Sequence, residues 1–291
     1  MGTPVVTPAV SDERTPSRAW VWILLLLVVA VYAPTAKWLW GRWTMSVWQH
    51  AHGLLIPPVV AYFVWLELRD RRHLPPDASA WGFLFVVPAL ALHALDTGLG
   101  TQLLSAISIV IAAPGLALLL LGAERTKAIA FPLAFLAFML PIPLAVTSQL
   151  HLFLRHIATR VTAFLLPWVG VPVFAEGTAL HLANGTLYVA DACSGFSTLY
   201  ASLAVACLTA YSCRSWPRRL LVLTMAVPIA IAANTVRMVL LGLMTYHWGF
   251  KTLNTPLHPL SGVLTFVLAL PVIFWLGQEP GRGHPKGTAS A

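Results

Sequence analysis

Acyl transfer calls for a nucleophile, an acid/base and a cation to hold an oxyanion, and this chain carries a set of such residues where polar groups are scarce. Cys193 lies in DACSGFST, just ahead of an apolar run. A thiol at the first turn of a helix sits near unpaired backbone N–H groups and the positive end of the dipole, and both favour the thiolate. Ser194 follows it. Gly195 lets a substrate carbonyl approach the backbone, where N–H groups can hold a developing oxyanion. Arg237, in ANTVRMVLL, is the only Lys or Arg in a run of about 25 residues. Such a residue is costly in lipid unless it faces a polar cavity. Asn234, three residues earlier, shares its helix face. His258 stands between prolines in NTPLHPLSG. A neutral imidazole there can take a proton from a thiol and return it to a leaving amine.

Taken singly, each residue has a plainer reading. Cys193 alone fits a buried cysteine near a helix cap better than a nucleophile. Arg237 alone fits a structural ion pair, or snorkelling to outer headgroups, equally well. A lone loop histidine is most often incidental. His50 and His52, in WQHAHGLLIPP, have a spacing that suggests a metal, but no Asp, Glu or Cys lies near them; an interfacial or substrate-contact role suits them better. Asp191 either caps the following helix or orients a partner. Cys207 and Cys213 read as structural, because three cysteines at these spacings make neither a zinc pattern nor a disulfide framework.

The elements that must position these residues are membrane helices. Of 291 residues, 58% are hydrophobic and 10% charged, against about 25% charged in soluble domains. The net charge of +8 comes from short basic clusters between apolar runs, which are topology signals and not a nucleic-acid surface. Eight spans are expected, at Ala19–Ala33, Leu54–Leu68, Ala80–Ala94, Leu103–Leu121, Ala128–Val146, Gly195–Ser212, Leu220–Met244 and Leu260–Leu276. With the N-terminus inside, twelve Lys and Arg fall on the inner side and six on the outer, so both termini are expected in the cytoplasm. Cys193, Arg237 and His258 then all lie at the outer membrane face. The first run reads as a membrane helix and not a removed signal peptide.

The outer connection before Cys193 has structure of its own. Leu150, Leu154, Ile157, Val161 and Leu165 recur at steps of three and four, with Arg155 and Arg160 between them, which predicts an amphipathic helix lying in the interface. Asn184-Gly185, between ALHL and TLYVA, predicts a short extracytoplasmic β-hairpin. The expected architecture is an all-α polytopic membrane protein with that helix and hairpin: a polar tail over residues 1–18, one transmembrane domain over 19–277, and a disordered tail over 278–291.

In this order, ACSG at the start of one span, NTVR within the next and HPLSG opening the last resemble the exosortase/archaeosortase family of membrane cysteine transpeptidases. WQHAHGLLIPP, ELRDRRHL and FPLAFLAFMLPIP resemble it too, so that the likeness covers roughly Trp43 to Trp275. The resemblance implies a core-only exosortase of the bacterial inner membrane, with its active site on the periplasmic face. Such an enzyme cleaves exported proteins at a C-terminal sorting signal, made of a Pro-Glu-Pro-type motif, a membrane helix and a basic tail. It then passes them through a thioester to an acceptor nucleophile. Carried over by motif, Cys193 is the nucleophile, Arg237 the oxyanion or substrate contact and His258 the general acid/base. His52 falls at the family histidine, although Gln49-His50-Ala51 stands where many members have Tyr-Ser. No cofactor is expected, nor nucleic acid. Two other readings compete. A transporter or channel-like protein would use Arg237 to line a polar pathway, and an enzyme acting on lipid-linked sugars would not need Cys193.

Overall fold

The computed structural model describes residues 18–44, 51–74 and 77–278. Apart from their innermost residues, the two expected tails lie outside this set, as does His50. Ten α-helices fall within it: α1 (Arg18–Thr44), α2 (Ile56–Asp70), α3 (Phe83–Leu99), α4 (Leu103–Leu121), α5 (Ala123–Ala128), α6 (Ala130–Phe135), α7 (Leu144–Leu165), α8 (Phe196–Ser212), α9 (Trp216–Trp248) and α10 (Leu257–Gly277). Among the described residues, five helical stretches are long and apolar enough to cross a membrane: Ala51–Asp70, Ala80–Leu99, Leu103–Leu121, Trp216–Trp248 and Leu260–Gly277. The 27-residue α1 occupies the first expected span, and α8 is a shorter apolar helix.

The expected span over Ala128–Val146 is not one helix. It breaks into α6, a 3-10 turn at Leu136–Met139 and an extended stretch leading into α7. Pro141 and Pro143 are the cause. Each lacks an N–H and pushes the residue before it out of the helical region, and Leu140, with ψ 131°, is already extended.

The region between α7 and α8 is a three-stranded antiparallel sheet, β1 (Val173–Glu176), β2 (Ala179–Leu182) and β3 (Gly185–Tyr188), in the order β1-β2-β3. The expected hairpin is present, with Leu182 opposite Gly185 so that the turn is Ala183-Asn184, and β1 adds a third strand. The turn is pinned: the Asn184 amide donates to the carbonyls of Thr245 (2.8 Å) and Tyr246 (3.2 Å) near the end of α9. Leu180, Leu182, Leu187 and Val189 close a core with Met238 and Leu241 of α9 and with Ala158 of α7.

The amphipathic helix is present as α7. His151, Leu154, Ala158, Thr159 and Thr162 are buried, whereas Phe153, Val161, Phe164 and Leu165 are exposed. The small and polar stripe faces the protein, where close packing and hydrogen bonds are available. The bulky apolar stripe faces away, where lipid is as good a partner as a core.

Helices α8, α9 and α10 pack mutually, and this unit carries the candidate site. At 33 residues, α9 is about 50 Å long, well beyond the roughly 30 Å of a bilayer core, so its end rises beside the sheet. On the other side of the molecule, Asp96 of α3, fully buried, accepts hydrogen bonds from Ser105 N (2.9 Å) and from the Thr101 hydroxyl. It caps the N-terminus of α4, where a negative charge is favoured.

Candidate active site

The site is assembled where α8 begins, α9 passes and α10 begins. Cys193 ends a 3-10 turn, Asp191–Cys193, and Gly195, with φ +84°, turns the chain into α8. A left-handed residue is needed at this reversal, and only glycine takes it without strain. It also leaves space: a Cβ on Gly195 would lie 2.5 Å from Cγ of Asn234. That closeness lets the Asn234 amide donate to the Cys193 carbonyl at 3.2 Å. One turn further along the same face, Arg237 is buried at 4% exposure. Its cationic head acts electrostatically on the Cys193 thiol. The i, i+3 pair on α9 therefore divides two tasks, with Asn234 holding the backbone of residue 193 and Arg237 supplying charge near its side chain.

The first turn of α10 brings the third group. His258 Nε2 lies 3.0 Å from Cys193 Sγ. The Leu253 backbone favours the charged form of the same imidazole, and Nε2 is the nitrogen placed to accept the thiol proton. Ser261 Oγ accepts from Arg237 Nε at 3.0 Å and donates to the His258 carbonyl at 2.6 Å, and Arg237 Nη2 donates to that same carbonyl at 3.4 Å. Gly262 completes the cradle: a Cβ there would stand 3.2 Å from Arg237 Cζ. Each polar or small residue of HPLSG thus touches the cysteine, the arginine or their supports.

The electrostatics describe a neutral pair. Burial pushes the Cys193 thiol above 9.0, and Arg237 partly offsets this. Burial and the neighbouring Arg237 hold the His258 imidazole below 6.5. Near neutral pH the site holds a thiol and an unprotonated imidazole at hydrogen-bond distance, an arrangement in which a proton can pass from sulfur to nitrogen.

A second layer supports the turn. The Ser194 hydroxyl donates to the Asp191 carbonyl at 2.8 Å, so His151 Nδ1 donates to the Ser194 oxygen, also at 2.8 Å, and the Phe196 N–H reaches that oxygen at 3.2 Å. The Asp191 side chain makes no cap; it is largely exposed and pairs with Arg155 of α7 at 3.4 Å. His52 stacks on Tyr200 (centroids 4.5 Å), Tyr200 contacts Phe196, and Phe196 contacts His151. His52 therefore reaches the Cys193 turn through a file of rings. Among the described residues no three His, Cys, Asp or Glu stand together as metal ligands. The sequence reading had no place for His151 or Ser261. The signal for Ser261 was its spacing, three residues after His258 on one helix face, and that for His151 was its register with Leu154 and Ala158.

The remaining cysteines are structural. Cys213 is buried, with its Sγ on the carbonyls of Thr209 and Gly277 at 3.3 and 3.4 Å, and Cys207 lies in the core between α8 and α2.

No curated protein and no solved structure matched the chain. A family model described as a transmembrane exosortase matches residues 40–275, a stretch that takes in the cysteine turn, the α9 pair and the start of α10. The chain is a multi-pass membrane protein, and it belongs to the transmembrane exosortase family.

Proposed function

We propose that this chain is a membrane-embedded cysteine transpeptidase that cuts the C-terminal sorting signals of exported proteins, of the Pro-Glu-Pro-type motif, membrane helix and basic tail. The observation that carries the reading is the 3.0 Å contact between Cys193 Sγ and His258 Nε2, with Arg237 buried beside it. Counting the broken Ala130–Met139 segment as one crossing, eight spans in the inner membrane with both termini cytoplasmic put this contact at the periplasmic face. His258 takes the thiol proton as sulfur bonds to the substrate carbonyl carbon, and the oxyanion faces the Arg237 guanidinium. His258 then protonates the leaving nitrogen, the C–N bond breaks, and a thioester remains on Cys193. An acceptor nucleophile, or water, gives its proton to His258 and displaces the thiol, which regains that proton. His52, Ser194, Gly195, Asn234 and Asp191 support the turn.

The test is co-expression with a tailed substrate. Wild-type enzyme should release the tail through a hydroxylamine-sensitive acyl-enzyme, and Cys193→Ala should leave the substrate whole. Equal cutting by Cys193→Ala ends the proposal, and favours chemistry that does not pass through sulfur.

A further inference from the structure

Among the described residues, the β3 edge of the sheet carries no backbone partner, and it leads straight to the nucleophile. Leu182 pairs with Gly185 across a two-residue turn, and the Val189 N–H bonds the Thr178 carbonyl at 3.0 Å. In an antiparallel ladder the bonded residues alternate. Gly185, Leu187 and Val189 therefore turn their backbone groups toward β2, and Thr186 and Tyr188 turn theirs away from it. Helix α7 packs against β1 and β2, whereas Tyr188 on β3 is 72% exposed. An open edge strand is normally shielded because it invites another chain.

The direction of β3 matters as much as its edge. Its start is held by Asn184 at Thr245 and Tyr246, and the turn that follows it is held at Asn234. Along α9 this is a descent of eleven residues (245 to 234), or about 16 Å. The strand runs inward from the outer end of α9 and delivers the chain to Cys193, five residues after Tyr188.

We propose that β3 is the substrate's docking strand: an extended segment on the N-terminal side of the scissile bond adds to its free edge as a fourth strand, parallel to β3. The proposal rests on the transpeptidase reading, because it needs a peptide whose carbonyl reaches Cys193. Parallel pairing follows from travel. The substrate's folded part lies outside and its leaving half continues into the membrane, so its chain descends to Cys193 as β3 does. The outward N–H and C=O groups of Thr186 and Tyr188 offer up to four main-chain hydrogen bonds, which recognise extended backbone more than sequence.

The experiment uses the full-length enzyme in membranes with a tailed substrate. A benzophenone amino acid at Tyr188, in a Cys193→Ala background, should cross-link to substrate residues just upstream of the scissile bond. Thr186→Pro and Tyr188→Pro each delete an outward N–H that β2 does not use. Each should raise KM roughly five-fold or more, while the alkylation rate of Cys193 by iodoacetamide stays at the wild-type value. If the wild type cuts and both proline variants cut with unchanged KM, the docking strand is refuted and the catalytic reading stands. If the wild type leaves substrate uncut, both fall. A cross-link from position 188 to a second copy of the chain also refutes docking. Should a proline change the alkylation rate, the cross-link alone decides.

Discussion

Replacing Gly195 with alanine tests the join between the nucleophile turn and α9. Two costs add. An alanine held at φ +84° pays about 1–2 kcal/mol for the left-handed conformation. Its Cβ would also meet Asn234 Cγ at 2.5 Å, and Cβ and Nδ2 at 2.8 Å. These contacts lie inside any normal separation, and Asn234 is buried mid-helix, so relief needs the side chain or α8 to move, at about 1–3 kcal/mol. The sum is about 2–5 kcal/mol of stability. Moving Asn234 also takes its amide from the Cys193 carbonyl, so cleavage falls more steeply than the folded fraction. Thermal unfolding in detergent, run as a double-mutant cycle with Asn234→Ala, separates the terms. That second change removes Cγ and Nδ2 but leaves Cβ, so it should return about 1 kcal/mol of the clash and none of the backbone strain. A cycle additive within about 0.5 kcal/mol, or a single variant as stable as wild type, refutes the reasoning.

Three further outcomes follow from the same geometry. Because His258 is held below 6.5 and must be neutral to accept the thiol proton, the acid limb of kcat/KM should have its midpoint below pH 6.5; a midpoint at or above that value contradicts a depressed imidazole. Cys193-dependent alkylation should be slow at neutral pH and rise with pH to a midpoint above 9.0, since burial raises the thiol, and Arg237→Gln should move that midpoint higher still; a flat profile would mean a preformed thiolate. Arg237→Lys keeps the charge but loses the planar fork that meets Ser261 and the His258 carbonyl, so kcat should drop on the order of a hundred-fold, and a loss under three-fold would remove Arg237 from the chemistry.

How much the chain disclosed depends on the range of each interaction. The span at Leu103–Leu121 was legible to the residue, because its composition is local and unbroken. The hairpin was legible for the same reason, although its turn falls one residue earlier than Asn184-Gly185, at Ala183-Asn184. The break at Pro141 and Pro143 was local too, yet the apolar composition around it dominated the reading. The face of α7 could not be read from periodicity alone, because in a membrane the apolar stripe is not the one that must be buried. Cys193, Arg237 and His258 were individually ambiguous. The expected topology puts them on one side of the membrane, but the 3.0 Å contact between residues 65 positions apart comes from packing α10 against α8 and α9. The bond between His151 and Ser194 is of the same kind, linking positions 43 apart through a helix whose placement no motif announces.

The length of α9 makes it a ruler for the membrane it crosses. From Arg219, near its start, to Arg237 is eighteen residues (219 to 237), or about 27 Å of rise, slightly less than a hydrocarbon core of roughly 30 Å. With Arg219 at one boundary of that core, Arg237 rests just under the other, and the sheet, fastened to the last turns of the same helix, is carried beyond it. Since one rod sets both heights, a thicker bilayer would submerge the Cys193 site and bring β3 down with it, whereas a thinner one would lift both into water. Host lipid composition becomes, on this geometry, a control on the dryness of the thiol.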